Sequence, residues 1–274
     1  MIIGEKNSMA TNNLILKFVD KTKPGLEIGP SLNPAVTKKD GYNVKILDHL
    51  SESELKEKYK HRDLTNIESV DYVWKGESYR SIIGEDVYFD WIIASHVIEH
   101  TTDMITFFNQ CSNLLTSTGI ISLAIPDHRY CFDHYRVKSS LAQVIDSFHF
   151  KNTKHTIGSI AEHYLNAVKN KGRLAWSKAR TDNEYSLCFT TSQAIAKIKT
   201  NVASKDYIDV HNWKLTPNHF QSIIVDLNLL GYIDLKLKSI SRTIGHEFYA
   251  TLIKGKYPTD INRLDAMNLA NKEF

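Results

Sequence analysis

The feature that most narrows what this chain can fold into is a pair of apolar runs, each carrying an acid toward its end. The first, LEIGPSLNP from Leu26 to Pro34, places Glu27 just before Gly29, Pro30 and Ser31. About twenty residues on, the spacing of a strand–loop–strand nucleotide site, a second run, VKIL, ends in Asp48. Such a pairing suits a nucleotide-type ligand at the mouth of a parallel sheet. The first loop passes close to the ligand and needs small residues, and the second acid can accept hydrogen bonds from both hydroxyls of a ribose. A dinucleotide site would read G-x-G-x-x-G, seating a pyrophosphate on a helix N-terminus. Here one glycine stands among two prolines and the acid comes first. An acid there repels phosphate and suits the ammonium of an amino acid.

The ligand that joins an amino-acid ammonium to a ribose is S-adenosylmethionine. LEIGPSLNP, then ILDH, DYVWKGE and FDWIIASHVIEH resemble, motif by motif, the class I S-adenosylmethionine-dependent methyltransferases. DWIIASHVIEHTTD, LAIPDHRYCFDHYR and DVHNWKLTPNHF are similar to methyltransferases of bacterial surface-polysaccharide gene clusters, those of O-antigen lipopolysaccharide and capsule. The resemblance spans residues 25–254. It implies a Rossmann-like fold and a set of cofactor contacts: Glu27 at the methionine ammonium, Gly29, Pro30 and Ser31 in the close-approach loop, and Asp48 on the ribose. Gly76 and Glu77 fall near the adenine, with Lys75 standing where an acid is expected, and Ser95 and His96 fall beside the sulfonium.

A chain of 274 residues accommodates one sizeable domain, read as residues 1–274. No apolar window is long enough for a membrane span, and the first residues lack the basic start and apolar core of a signal peptide. Three cysteines, Cys111, Cys131 and Cys188, without C-x-x-C spacing, suit a reducing cytoplasm. A net charge of +3, spread along the chain, argues against nucleic acid as partner.

Apolar patterning predicts an alternating strand–helix order, hence an α/β, doubly wound, seven-stranded and mainly parallel sheet. Strands are expected at GLEIG, YNVKILD, SVDYVW, FDWIIA and ISLAIP, followed by an antiparallel pair at YIDLKLKSI and HEFYATLIK. Residues 1–24 read as a leader with one amphipathic helix. Pro30 and Pro34 should prevent a long first helix. SESELKEKYK, DMITFFNQCSNLL and TPNHFQSIIVDLNLLG carry helical spacing, the last with Thr216 as cap and Gly231 as stop. Residues 135–209, after strand five, read as a helical insert capping the carboxyl edge of the sheet. Residues past Lys256 read as a polar tail.

His96, Glu99 and His100 form H-x-x-E-H, which on a helical turn shares one face. Two imidazoles and a carboxylate suit a divalent metal ion. The same string marks certain metallopeptidases, so a metal-dependent hydrolase is one rival reading. Metal-dependent 2′-O-methyltransferases of small-RNA termini look similar at this place, and that likeness adds His211 as a fourth ligand. Next to the departing methyl group stand Asp127, His128, Arg129, Tyr130, Asp133 and Arg136. His128 and His211 are candidate bases beside Asp127. Arg129 and Arg136 can grip an anionic acceptor, with Asp133 beside them, and Tyr130 and Trp213 can stack on a sugar. The expected function is therefore S-adenosylmethionine-dependent O-methylation of a sugar hydroxyl on a surface polysaccharide or its precursor. The acceptor would be a glycan or glycolipid, with glycosyltransferases of the same pathway as partners. The second rival is a non-catalytic cofactor-binding module in glycan assembly.

Overall fold

The structure, a computed structural model, describes residues 14–180, 182–203 and 206–273. Strands β1 (Gly25–Ile28), β2 (Val44–Asp48), β3 (Tyr72–Val73), β4 (Phe89–Ser95), β5 (Leu115–Pro126), β8 (Leu235–Ile240) and β9 (Glu247–Lys254) form one seven-stranded sheet in the order β3-β2-β1-β4-β5-β9-β8. β1 to β5 are parallel, and β9 runs antiparallel to both β5 and β8. The chain is thus an α/β protein with the expected sheet and terminal pair. β3 is only two residues long, shorter than SVDYVW suggested.

Successive side chains of a strand point to opposite faces, and the strands use this to feed two cores. Leu26, Ile28, Ile92, Ala94, Ile121 and Leu123 join one cluster, packed with Phe107, Phe108 and Cys111 of α3 (Met104–Leu114) and Phe220 and Ile224 of α7 (Pro217–Leu229). Val44, Ile46, Trp91 and Ile93 join the other, covered by Ile15, Phe18, Val36 and Tyr42. No α-helix separates β1 from β2, only a 3₁₀ turn at Lys38–Asp40. This agrees with the effect expected of Pro30 and Pro34. Most of the proposed leader helix lies outside the described residues.

Local signals hold elsewhere. Ser51 and Glu54 close a capping box on α1 (Glu52–Lys58). Pro217 starts α7 after Thr216, whose hydroxyl makes no capping bond, and Gly231 follows its end with φ 80°. A short helix α2 (Tyr79–Ile83) precedes β4. The segment after β5 holds α4 (Leu141–His149), α5 (Ile157–Asn166) and α6 (Thr191–Ala203), but also a ribbon of β6 (Val168–Asn170) and β7 (Tyr185–Leu187) that the helical reading did not contain. Its backbone bonds run to residues beyond the carboxyl ends of β5 and β8: Val168 N–H to Phe132, Trp176 N–H to Tyr130 and Lys178 N–H to Gly245.

The polar tail expected past Lys256 is corrected by α8 (Arg263–Asn271), which packs on α7. Glu273 accepts the free N–H groups of Asn218 and His219 at the start of α7, and Arg263 grips Asp226 through two nitrogens. Hydrophilic sequence hid this helix because polar pairing, with little apolar burial, holds it. Among the described residues no helix is long and apolar enough to cross a membrane.

At the start of β1, Gly25 lies against Trp91, and a Cβ there would fall 2.0 Å from the indole ring. Trp91 is buried, with its Nε1 donating to the carbonyls of Asp20 and Lys23, so it has nowhere to retreat. Gly25→Ala should cost about 3 kcal/mol, the upper range for overpacking a tight core, read as a lower midpoint in urea with unchanged slope.

Candidate active site

The sheet reverses its direction of growth between β1 and β4, the switch point where open α/β sheets bind ligands. Chain geometry there is tight. Gly29 follows β1 with φ 65°, and a Cβ on it would lie 3.0 Å from Val97 across the crevice. Ser31 and His96 also take positive φ, 50° and 53°, a strained conformation for residues other than glycine. The Ser31 N–H donates to Asp48 Oδ2 at 3.0 Å, while the N–H and Nδ1 of His49 meet Oδ1 at 2.7 and 2.6 Å. Asp48 therefore ties the first loop to the end of β2. Pro30, within that loop, is buried. Gly76 and Glu77 lie exposed just past β3, where Glu77 accepts from the Lys75 N–H and its carbonyl accepts from Trp74 Nε1. Lys75 reaches back to the His49 carbonyl.

Glu27, expected at the methionine ammonium, is bonded to the loop. It is fully buried, and its two oxygens accept the N–H groups of Ala35 and Val36. It holds the loop from beneath. Burial pushes its carboxyl up to about 8, against the opposing pull of those two N–H groups.

Beyond β4 the H-x-x-E-H string does not form the helical face expected. Ile98–His100 is a single 3₁₀ turn, and His96 stands outside it with its left-handed backbone. The side chains converge all the same. Glu99 is fully buried and neither of its oxygens has a hydrogen-bond partner. Three ring nitrogens face its Oε1: His96 Nδ1 at 3.5 Å, His100 Nε2 at 3.8 Å and His211 Nε2 at 3.9 Å. His211 arrives from far along the chain because the N–H groups of Asn212 and Trp213 both donate to the Glu99 carbonyl. The second nitrogen of each histidine rests on a different carboxylate: His96 on Glu247 at 2.6 Å, His100 on Asp209 at 2.7 Å and His211 on Asp133 at 2.5 Å. Ser95 ends β4 directly before this group.

The electrostatics follow from that pairing. Burial alone would lower His96, but Glu247 and Glu99 raise it to about 10. Burial works against His100 too, and Asp209 and Glu99 raise it. Glu99 and Asp133 are held below the usual carboxylate range despite burial, Glu99 by the three histidines and Asp133 by His211 and Arg136. His128 is different. Both its ring nitrogens are buried and unpartnered, and burial pushes it down to about 4.

Several expected acceptor contacts are corrected. Arg136 is enclosed, donating to Asp133 and Glu162, so it cannot reach an acceptor. Asp133 is spent on His211 and Arg136. Trp213 is core, with Nε1 donating to Thr101, so it offers no face to a sugar. Asp127 is taken by Arg129, through two nitrogens, and by Thr243, which leaves it a positioning role. Arg129 and Tyr130 stay partly open, the guanidinium 5.3 Å from the ring centre. Sequence reasoning missed Asp209 and Glu247. Glu247 was findable: it begins the reversed strand β9, opposite Pro126, which puts it at the carboxyl end of β5.

No protein-family model and no curated protein matches the sequence. Solved structures do. The CcbJ methyltransferase from Streptomyces caelestis is 11% identical over 93% of this chain and 99% of that one, with a TM-score of 0.44. Coclaurine N-methyltransferase bound to N-methylheliamine and SAH is 15% identical with a TM-score of 0.31; the match covers 44% of this chain and only 38% of that one. A structure from Rhodobacter sphaeroides described as a zinc-dependent alcohol dehydrogenase is 12% identical over 90% of each chain, with a TM-score of 0.48. Overlays this loose decide nothing about chemistry, which has to come from this chain's own residues.

Glu27 provides a direct check on the loop. Its folded pKa is raised above the unfolded value of about 4.3, so its contribution to stability is complete below that pH and is lost as pH rises toward 8. The loss should run at about 1.4 kcal/mol per pH unit inside the window, the slope of a single proton. Glu27→Gln keeps an acceptor for the loop without the charge. Urea unfolding of both proteins from pH 5 to pH 8 should show the variant gaining on the wild type as pH rises.

Proposed function

We propose that this chain is an S-adenosylmethionine-dependent O-methyltransferase acting on a sugar hydroxyl of a bacterial surface polysaccharide or its precursor. The observation that carries the reading is the meeting, at one switch point, of a ribose-type acid and a buried histidine–carboxylate group. Asp48 stands on the β2 side, bonded to the close-approach loop, and His96, Glu99 and His211 stand on the β4 side. The cofactor would lie between them, with its ribose on Asp48, its methionine end along Gly29 to Ser31 and its sulfonium near Ser95 and His96. Gly76 and Glu77 would border the adenine.

In the transfer a C–O bond forms as the C–S bond breaks. The electron pair of the C–S bond stays on sulfur, and the hydroxyl proton must leave. His128 is the acceptor of that proton in this reading, because its ring is neutral at physiological pH and neither nitrogen is already bonded; both are buried, so acceptor binding would have to uncover them. A base this weak works only on an oxygen that something else has already polarised. Arg129 and Tyr130 form the open edge against which the glycan or glycolipid lies. Residues 135–209 cover that edge, and sugar transferases of the same cytoplasmic pathway would supply the acceptor. The peptidase reading loses ground because its motif belongs on a long helix, whereas Ile98–His100 is a 3₁₀ turn. A purely structural role in glycan assembly would bind cofactor without turnover.

Asp48→Ala should weaken S-adenosylmethionine binding by about 1.5–3 kcal/mol, the cost of losing charged hydrogen bonds. Calorimetry giving the same affinity for a folded variant would remove Asp48 from the site. Mass spectrometry of the surface glycan from cells with and without the gene should differ by one methyl group, and identical glycans would exclude this acceptor.

A further inference from the structure

We propose that Glu99, His100 and His211 bind one divalent transition-metal ion. Three independent features of the geometry converge on this. The first is the bare carboxylate. Glu99 has no exposed surface and no hydrogen bond, and the nearest cation, His96 at 3.5 Å, is bonded through its other nitrogen to Glu247 and so is shared between two carboxylates.

The second is spacing. The His100 and His211 Nε2 atoms stand 3.8 and 3.9 Å from Glu99 Oε1, and the three donor atoms lie within 4.8 Å of one another. Imidazolium N–H groups neutralising the carboxylate directly would close to about 2.8 Å. Two donors that share a zinc-sized ion, each about 2.1 Å from it at a tetrahedral angle, sit roughly 3.4 Å apart. The observed gap fits an ion between the donors and is too wide for a hydrogen bond.

The third is the outer layer. His100 Nδ1 bonds Asp209 and His211 Nδ1 bonds Asp133. With Nδ1 engaged by a carboxylate, each ring presents its Nε2 to Glu99. Metal-binding histidines are oriented by carboxylates in this manner. Arg136 in turn fixes Asp133.

Two neighbouring groups are weaker candidates. His96, His246 and Glu247 cluster, but His96 Nε2 already bonds Glu247 at 2.6 Å, so no ion is needed there. In the set of Cys131, Asp133 and His211, both Asp133 oxygens are taken. His96 thus leaves the four-ligand set expected from sequence and stands at the open side of the site.

Two imidazoles and one carboxylate favour zinc, manganese, iron or cobalt over magnesium and calcium, which prefer oxygen. Three protein ligands leave room for an outside oxygen. Resting on the methyl-transfer reading, an ion held by these residues would supply the polarisation of the acceptor hydroxyl that a base as weak as His128 requires.

The test is metal binding without cofactor or acceptor. Protein dialysed against EDTA is titrated with Co²⁺, followed by visible absorption, and with Zn²⁺, Mn²⁺ and Mg²⁺ by calorimetry. One equivalent of Co²⁺ or Zn²⁺ should bind, and Mg²⁺ far more weakly. Glu99→Gln and His100→Ala should each weaken binding at least tenfold. Asp209→Asn changes an exposed side chain and should weaken it about tenfold through the orientation of His100. No saturable binding to the folded wild type, or equal affinity in all three variants, overturns the site. Metal binding in a protein that calorimetry finds unable to bind S-adenosylmethionine upholds the site and sinks the methyl-transfer reading alone.

Discussion

A buried carboxylate with no hydrogen bond of its own is the constraint on which this site depends. An ionised group removed from water costs far more than an ordinary packing defect. The protein surrounds Glu99 with three imidazoles and stations a carboxylate behind each of them. The groups come from five places: the turn after β4, the loop after β5, the end of the inserted segment, the stretch before α7 and the start of β9. Each is pinned by its own backbone. Asn212 and Trp213 dock on the Glu99 carbonyl, His96 N–H meets Ala124 in β5, and Glu247 pairs across from Pro126. Moving any of the three histidines would remove part of the compensation of Glu99.

The sheet makes this convergence cheap. Because β1 and β4 are neighbours and growth reverses between them, their following loops diverge to opposite faces and open a crevice. The loop after β1 is held from below by Glu27 and from the side by Asp48. It needs no helix behind it, since Ile15, Phe18 and Val36 cover that face of the sheet. The other face carries α3 and α7, whose aromatic and aliphatic residues form the larger core. One side of the switch point is therefore a loop stiffened by carboxylates and the other a turn packed on a helical layer. That contrast places cofactor-type contacts and histidine chemistry on opposite walls.

Burial divides the titratable groups by partner. His96 and His100, each beside carboxylates, rise. His128, at the same end of the sheet but without a bonded partner, falls. Residue type and neighbourhood in sequence do not separate these cases, because D-H-R and S-H-V both read as a histidine in a polar loop. What separates them is whether a carboxylate arrives from elsewhere.

Much was legible in sequence for a physical reason: period-two apolar patterning and cap residues act over a few residues, and they need no knowledge of the fold. That locates the strands, the absence of a long helix after Pro30 and Pro34, the α1 and α7 boundaries, and the acid Asp48 at a strand end. The polar signals of α8 were too weak to announce a helix, since Arg263 and Glu273 stabilise it only against α7. Arg136 and Trp213 looked available because exposure is not a property of a residue type. The four carboxylates of the site are scattered from Glu99 to Glu247, and their grouping follows from strand order and from the reversal of β9. Sequence alone determined the sheet and the positions of the chemical groups along it. Only the tertiary structure decided which groups face one another, because an interaction between charges depends on distances that chain separation does not set.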